Sequence, residues 1–306
     1  MQRFVSRAPA LRVVILLAVA LLAGCSGPNT LEQRDGYVAD RQYTAPSHSS
    51  RVRYLVLHYT DGGEARSLAT LTGPRVSAHY VVPLPARWVH GQPRIYQLVD
   101  ESRRAWHAGV SAWKHRHNLN DTSIGIEIVN RGPTDTAQGR VWAPYPPQQI
   151  DAVVALARDI IARHGIDPTD VVGHSDIAPS RKVDPGPRFP WRQLHAAGIG
   201  AWPDDATVAR YQKRFRHDPP TLIQLQCALA AYGYPITVTG QSDDRTRDVL
   251  RAFEMHFRPD DYLLTTHNDY DNGQPDARTA AILWALLEKY RPLAIAAYGV
   301  TQVCSS

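Results

Sequence analysis

The sequence predicts an α/β domain over residues 46–200 followed by an all-α module of three helices over 217–292. Three observations carry this. Short β-branched and aliphatic runs recur between residues 53 and 173, separated by turn residues. One segment in their midst, "QQIDAVVALARDIIARHG" at 148–165, has apolar residues at helical spacing. Beyond residue 200 the strand signals stop and an internal repeat begins. "GQSDDRT" at 240–246 returns as "GQPDART" at 273–279, and an apolar helical run follows each copy.

The elements follow in chain order. Residues 1–24 combine Arg3, Arg7 and Arg12 with an apolar run too short to span a bilayer. They read as a secretory leader ending in Leu22-Ala23-Gly24-Cys25, which resembles a bacterial lipobox. That resemblance implies that Cys25 becomes the lipidated first residue, anchored by acyl chains at roughly 0.8 kcal/mol per buried methylene. Ser26, in place of Asp, implies sorting to the outer membrane on its periplasmic face. Residues 25–45 are polar and turn-rich, as a tether would be.

Strands are expected at "RVRYLVLHYT", "SAHYVVP", "RIYQLVD", "SIGIEIVN" and "VVGHSD", and Gly165 is placed to end the 148–165 helix. Residues 201–216 are expected to form a linker. The three helices of the last module start at "TLIQLQCALAAYG", "RDVLRAFEMHF" and "AAILWALLEKY", the last two each preceded by an Asp able to cap them. Residues 293–306 form a tail.

Composition narrows the function. Hydrophobic content of 43% and charged content of 21% over 306 residues describe a globular chain. Its charge of +5 falls to +2 once the three leader arginines are removed, too little to argue for nucleic acid. Cys227 and Cys304 remain after Cys25, in a compartment that permits a disulfide, and spacing leaves their pairing open.

The stretch "GHSDIAPSRKVDPGPRF" at 173–189 carries the chemistry. His174 follows a strand, Asp184 lies on a loop stiffened by Pro179, Pro185 and Pro187, and His58 ends the first strand. Two imidazoles and a carboxylate suit a catalytic Zn²⁺ that keeps a fourth position open. Glu127, flanked by apolar residues in "IGIEIVN", suits a general base with a raised pKa. Lys182 can reach an oxyanion beside the metal. Taken one by one, the same residues also fit core histidines, a solvent-facing glutamate and a solvated lysine, so spacing alone leaves the site open.

"LHYT", "SAHYVVP", "WHAG", "LNDTSIGIEIVN" and "GHSDIAPSRKVDPGPRFPW" occur in that order. Together they closely resemble the zinc-dependent N-acetylmuramoyl-L-alanine amidases of the amidase type 2 family, and the likeness extends through "GIGAWPD" and "MHFRP". The resemblance implies a mixed central sheet flanked by helices, as in peptidoglycan recognition proteins. It implies one Zn²⁺ on His58, His174 and Asp184, Glu127 activating water, and Lys182 supporting the transition state. The third ligand is Asp, where phage lysozyme-type amidases carry Cys. The implied partners are peptidoglycan and muropeptides, intact or 1,6-anhydro, and a membrane through Cys25. His79, Trp106 and His107 are assigned to substrate; the alternatives are a core histidine for His79 and core packing for Trp106. "KHRH" at 114–117 reads as a solvated loop. The last module resembles three-helix peptidoglycan-binding domains, either docking on the wall or bracing the catalytic domain. Two other functions share these residues: a receptor that binds peptidoglycan without cutting it, and a zinc peptidase acting within the stem peptide.

Overall fold

The computed structural model describes residues 30–137, 139–264 and 276–297. The leader, Cys25, Cys304 and the tail beyond residue 297 lie outside the described residues. The described residues up to Ser49 form one unit, and those from Ser50 onward another.

The first unit holds an antiparallel hairpin, β1 (Leu31–Arg34) and β2 (Tyr37–Asp40), within the expected tether. The second begins with β3 (Tyr54–Tyr59), α1 (Glu64–Leu71), β4 (Tyr80–Val82), and the two-residue strands β5 (Trp88–Val89), β6 (Gln92–Pro93) and β7 (Tyr96–Gln97). The hairpin β8 (Ala112–Trp113) and β9 (Arg116–His117) precedes β10 (Ser123–Ile128), then come β11 (Pro133–Thr136) and β12 (Gly139–Trp142). The long helix α2 (Pro147–His164) leads to β13 (Val171–Gly173), the short α3 (His174–Ile177) and α4 (Trp191–Ala196).

One five-stranded sheet, ordered β13-β3-β10-β4-β7, organises this domain. Its first four strands are parallel and β7 is antiparallel, so the sheet is mixed as expected. One face buries Leu55, Leu57, Ile124, Ile126 and Ile128 against Ile150, Val153, Ala157 and Ile160 of α2. Both faces are covered, which is why "YLVLHY" and "SIGIEI" read as nearly continuous apolar runs. Gly165 ends α2 in the left-handed conformation, φ 66°, with its N–H on the carbonyl of Ile161.

The remainder is helical: α5 (Asp205–Phe215), α6 (Leu222–Tyr232), α7 (Asp244–Phe257), α8 (Pro259–Leu264), α9 (Ala277–Tyr290) and α10 (Pro292–Ala297). The three expected helices are α6, α7 and α9. The repeat works as its sequence suggests. Asp243 and Asp276 cap α7 and α9 by accepting from the N–H of Thr246 and Thr279, each at 2.8 Å.

The linker expected at 201–216 is corrected: it holds α5, whose Tyr211 and Phe215 are buried in the helical core. Its polar majority hid this, because only Tyr211 and Phe215 of its eleven residues are buried. Nor is the module set apart from the sheet domain. Tyr54, Val56, Ala108, Trp113 and Val172 share one apolar cluster with Leu225, Phe253 and Leu283. Cys227 is buried and disulfide-bonded.

Candidate metal centre and cleft

The site stands on the sheet face opposite α2. β3 and β10 run parallel and in register, which sets Glu127 directly beside His58. β13 flanks β3 on its other side and delivers His174 as the first residue of α3. The loop after α3 brings Asp184 back, its carbonyl accepting from the N–H of Ser175 at 2.8 Å. A cleft of about 480 Å³ opens over these residues, walled also by Lys182, Arg181, Tyr59, Trp106 and Val76.

His58 Nδ1, His174 Nδ1 and Asp184 Oδ2 converge. The two nitrogens are 3.0 Å apart, and each is 3.1 Å from the carboxylate oxygen. All three residues are buried. Burial, then the neighbouring His174, pushes His58 down to about 4, so its ring is neutral at pH 7. Burial works against the Asp184 carboxylate, yet His174 and His58 hold its pKa well below the usual range. His174 Nε2 faces the carbonyl of Ala108 at 3.1 Å, and a proton placed there leaves Nδ1 with a lone pair for a metal ion. Donors at such mutual distances can share one ion at bonds of roughly 2.0–2.2 Å. The donor set of nitrogen and carboxylate oxygen suits Zn²⁺.

Glu127 lies on the wall of the same cleft. Its Oε2 is buried with no hydrogen-bond partner, and burial followed by the charge of Asp184 raises its pKa well above the carboxylate range. Lys182 opposes that rise. A buried, unpartnered carboxylate oxygen is costly in a fold and is kept where a ligand or water completes it.

His58, His174, Asp184, Glu127 and Lys182 are thus gathered as the sequence suggested, and so is Trp106, which is 55% exposed at the cleft with Arg104 stacked on its ring. Of the other two residues assigned to substrate, one stands away from the cleft and one touches only its wall. His79 does not line the cleft. It is buried, its Nδ1 accepting from the Gly125 N–H at 3.1 Å and its Nε2 facing the Arg103 carbonyl at 3.2 Å, so both ring nitrogens are spent on backbone. His107 touches the cleft wall but is 8% exposed, and both its nitrogens face protein: Nδ1 lies 3.0 Å from His58 Nε2, and Nε2 lies 3.1 Å from Ser123 Oγ. Its ring sits over Gly125, where a Cβ would come within 2.5 Å of it. That close approach explains a glycine inside a central strand. In "KHRH", His115, Arg116 and His117 are exposed as expected, while Lys114 pairs with Asp170.

Sequence reasoning passed over Ser123 and Arg181. Arg181 donates to the carbonyls of Ala108 and Val110, both at 2.9 Å. Its position next to Lys182 was the one available signal; Ser123, in a strand, offered none.

A mixed sheet bearing a His-His-Asp donor set that could hold a metal ion, beside a carboxylate in the same cleft, fits the class of metal-dependent hydrolases. The chain belongs to the N-acetylmuramoyl-L-alanine amidase family, whose model matches residues 48–187; a peptidoglycan binding domain matches residues 218–261. It is 48% identical over 278 residues to the N-acetylmuramoyl-L-alanine amidase AmiD of Escherichia coli, across 90% of this chain and 97% of that protein. The 1,6-anhydro-N-acetylmuramyl-L-alanine amidase AmpD of Enterobacter cloacae is 44% identical, across 33% of this chain and 50% of that protein. The solved complex of Escherichia coli AmiD with anhydro-N-acetylmuramic acid-L-Ala-D-gamma-Glu-L-Lys superposes with a TM-score of 0.75, at 47% identity, covering 85% of this chain and 98% of that one. AmpDh3 of Pseudomonas aeruginosa in complex with anhydromuramic pentapeptide gives 0.72 at 45% identity, with the same coverage.

Proposed function

We propose that this chain hydrolyses the amide between the lactyl group of N-acetylmuramic acid and L-alanine, in peptidoglycan and in muropeptides with intact or 1,6-anhydro sugar. The observation that carries this is the convergence of three buried donors on one point, beside the orphaned Oε2 of Glu127 in the same cleft.

His58 Nδ1, His174 Nδ1 and Asp184 Oδ2 would hold one zinc ion, which supplies Lewis acidity to the scissile carbonyl and lowers the pKa of water toward 7. Glu127 takes the proton of the attacking water at its carboxylate and hands it to the leaving nitrogen of L-alanine. The C–O bond forms first, the carbonyl oxygen gaining charge; the C–N bond then breaks as the nitrogen takes the proton, and the acid's own proton follows to the amine, leaving a lactyl carboxylate and an ammonium group. Burial gives Glu127 the proton affinity this transfer needs. Lys182 sets its ammonium beside the oxygen that gains charge. Trp106, exposed and braced by Arg104, offers a face for the sugar.

Lipidation at Cys25 would place the enzyme on the periplasmic face of the outer membrane, where the wall is its substrate. Among the described residues no helix is long and apolar enough to cross a membrane.

The test is digestion of purified muropeptides with and without a chelator, read by mass spectrometry. Intact stem peptide with peptide-free sugar, lost with chelator and restored by zinc, is the expected result. Binding without cleavage would leave a receptor; cleavage within the stem would make the chain a peptidase.

A further inference from the structure

His107 makes contact with His58, not with the centre itself, and its hydrogen bonds have a direction that can be read from their far end. The carbonyl of Leu119 can only accept, and Ser123 Oγ stands 2.7 Å from it, so the Ser123 hydroxyl proton is spent there. Ser123 Oγ, 3.1 Å from His107 Nε2, must then accept, which puts the His107 proton on Nε2. His107 Nδ1 is left with a lone pair and receives the Nε2–H of His58 across 3.0 Å. With Nε2–H given to His107, a neutral His58 turns the lone pair of Nδ1 toward His174 and Asp184, where a metal ion would take it.

We infer that His107, locked by Ser123 and the Leu119 carbonyl, is a positioning residue that fixes the tautomer and ring plane of His58 for metal binding. This rests on the reading of His58, His174 and Asp184 as a zinc site. The geometry leaves the chain little freedom. The His58 and His107 rings meet edge to face, 5.1 Å between centroids at 85°, and the bare strand at Gly125 lets His107 approach closely enough. A ligand histidine usually hands its second N–H to a carboxylate, a carbonyl or water. Here a neutral imidazole takes it, and an imidazole is a usable acceptor only in one of its two tautomers. That is what the Ser123 hydroxyl enforces.

The test needs no substrate. Zinc affinity is measured by competition with a chromophoric chelator for the wild type, His107→Leu, His107→Gln and Ser123→Ala. Histidine tautomers are read in the metal-free proteins from two-bond ¹⁵N–¹H correlations. His107→Leu and Ser123→Ala should bind zinc roughly 10- to 100-fold more weakly. His107→Gln, whose amide can both accept from His58 and donate to Ser123, should recover most of the loss. His58 should be an Nε2–H tautomer in the wild type and a mixture in Ser123→Ala. Ser123→Ala removes one buried oxygen and changes no shape, so it reports even where His107→Leu fails to fold. Wild-type zinc affinity in Ser123→Ala, or an unchanged His58 tautomer, would overturn the inference. A wild type that binds zinc but cuts no muropeptide would overturn the proposed function and leave this inference standing.

Discussion

His58 and Glu127 stand opposite each other in register on adjacent parallel strands, so a candidate metal ligand and a half-buried carboxylate share one face of the sheet. Both positions are set by backbone hydrogen bonds and not by loops. That rigidity lets the roles of the two residues be separated by substitution.

Glu127→Gln keeps the size of the side chain and removes its basicity. Cleavage should fall by about 10² to 10⁴ while zinc affinity stays within a few-fold, because general acid–base transfer is worth that much and the donor set is untouched. Rate and affinity measured on one preparation decide it. A parallel loss of zinc would make Glu127 a ligand instead.

Zinc should stabilise the fold by mass action. At a hundredfold excess over Kd the gain is about 2.7 kcal/mol, which raises the melting temperature by roughly 4–5 °C for a chain of this size. Asp184→Asn weakens the donor set, and its melting temperature should respond far less to added zinc. Thermal scans with chelator or zinc give both answers.

Glu254, on α7, is pushed up to about 7 from 4.5 by burial. Between those values the folded state holds a proton that the unfolded chain has released. Stability from this source is therefore present at pH 4.5 and is lost as the pH rises through 7. Glu254→Gln keeps an acceptor for the Thr279 hydroxyl, which donates at 2.6 Å. Urea unfolding at pH 5 and pH 8 should show the variant losing less stability across that interval than the wild type, by up to roughly 3 kcal/mol. Equal losses in both proteins would exclude Glu254 as the source.

Asp176, two residues after His174, is held from the helical module: Tyr234 donates to its Oδ1 at 2.7 Å, and His256 Nδ1 lies 2.8 Å from its Oδ2. Tyr234→Phe leaves a buried carboxylate oxygen short of a partner and should cost about 1–3 kcal/mol. A chain ended at residue 200 would expose Trp113, which meets Tyr234 edge to face at 4.9 Å, and should not fold stably. Circular dichroism of the truncated chain checks this; a cooperative melt near that of the whole protein would mark the module as dispensable.

Much of the site was legible in the chain itself. "LHYT", "IGIE" and "GHSD…KVD" name the residues that the fold gathers, because ligands at strand ends leave the same residue types at the same places relative to apolar runs. The sequence could not separate the place of His107 from that of Trp106, for a physical reason. His107 follows Trp106 directly, but the two side chains diverge, one 55% exposed and the other 8%, and nothing in "WHAG" tells which of them faces the cleft. His79 fits the same pattern as a ligand would, and is distinguished only by the two backbone groups that meet its ring.

By itself the sequence determined the five strands of the central sheet, the helix α2 packed on it, the helices α6, α7 and α9, the caps at Asp243 and Asp276, and the identity of the candidate ligands. These depend on residue type and local spacing. Only the tertiary structure decided that residues 205–215 are a helix of the helical core, that this core continues into the sheet domain, and that Ser123 and His107 stand behind His58. Each of those depends on contacts between residues far apart in the chain. Hydrogen-bond direction and shared burial exist only once the strands are in register.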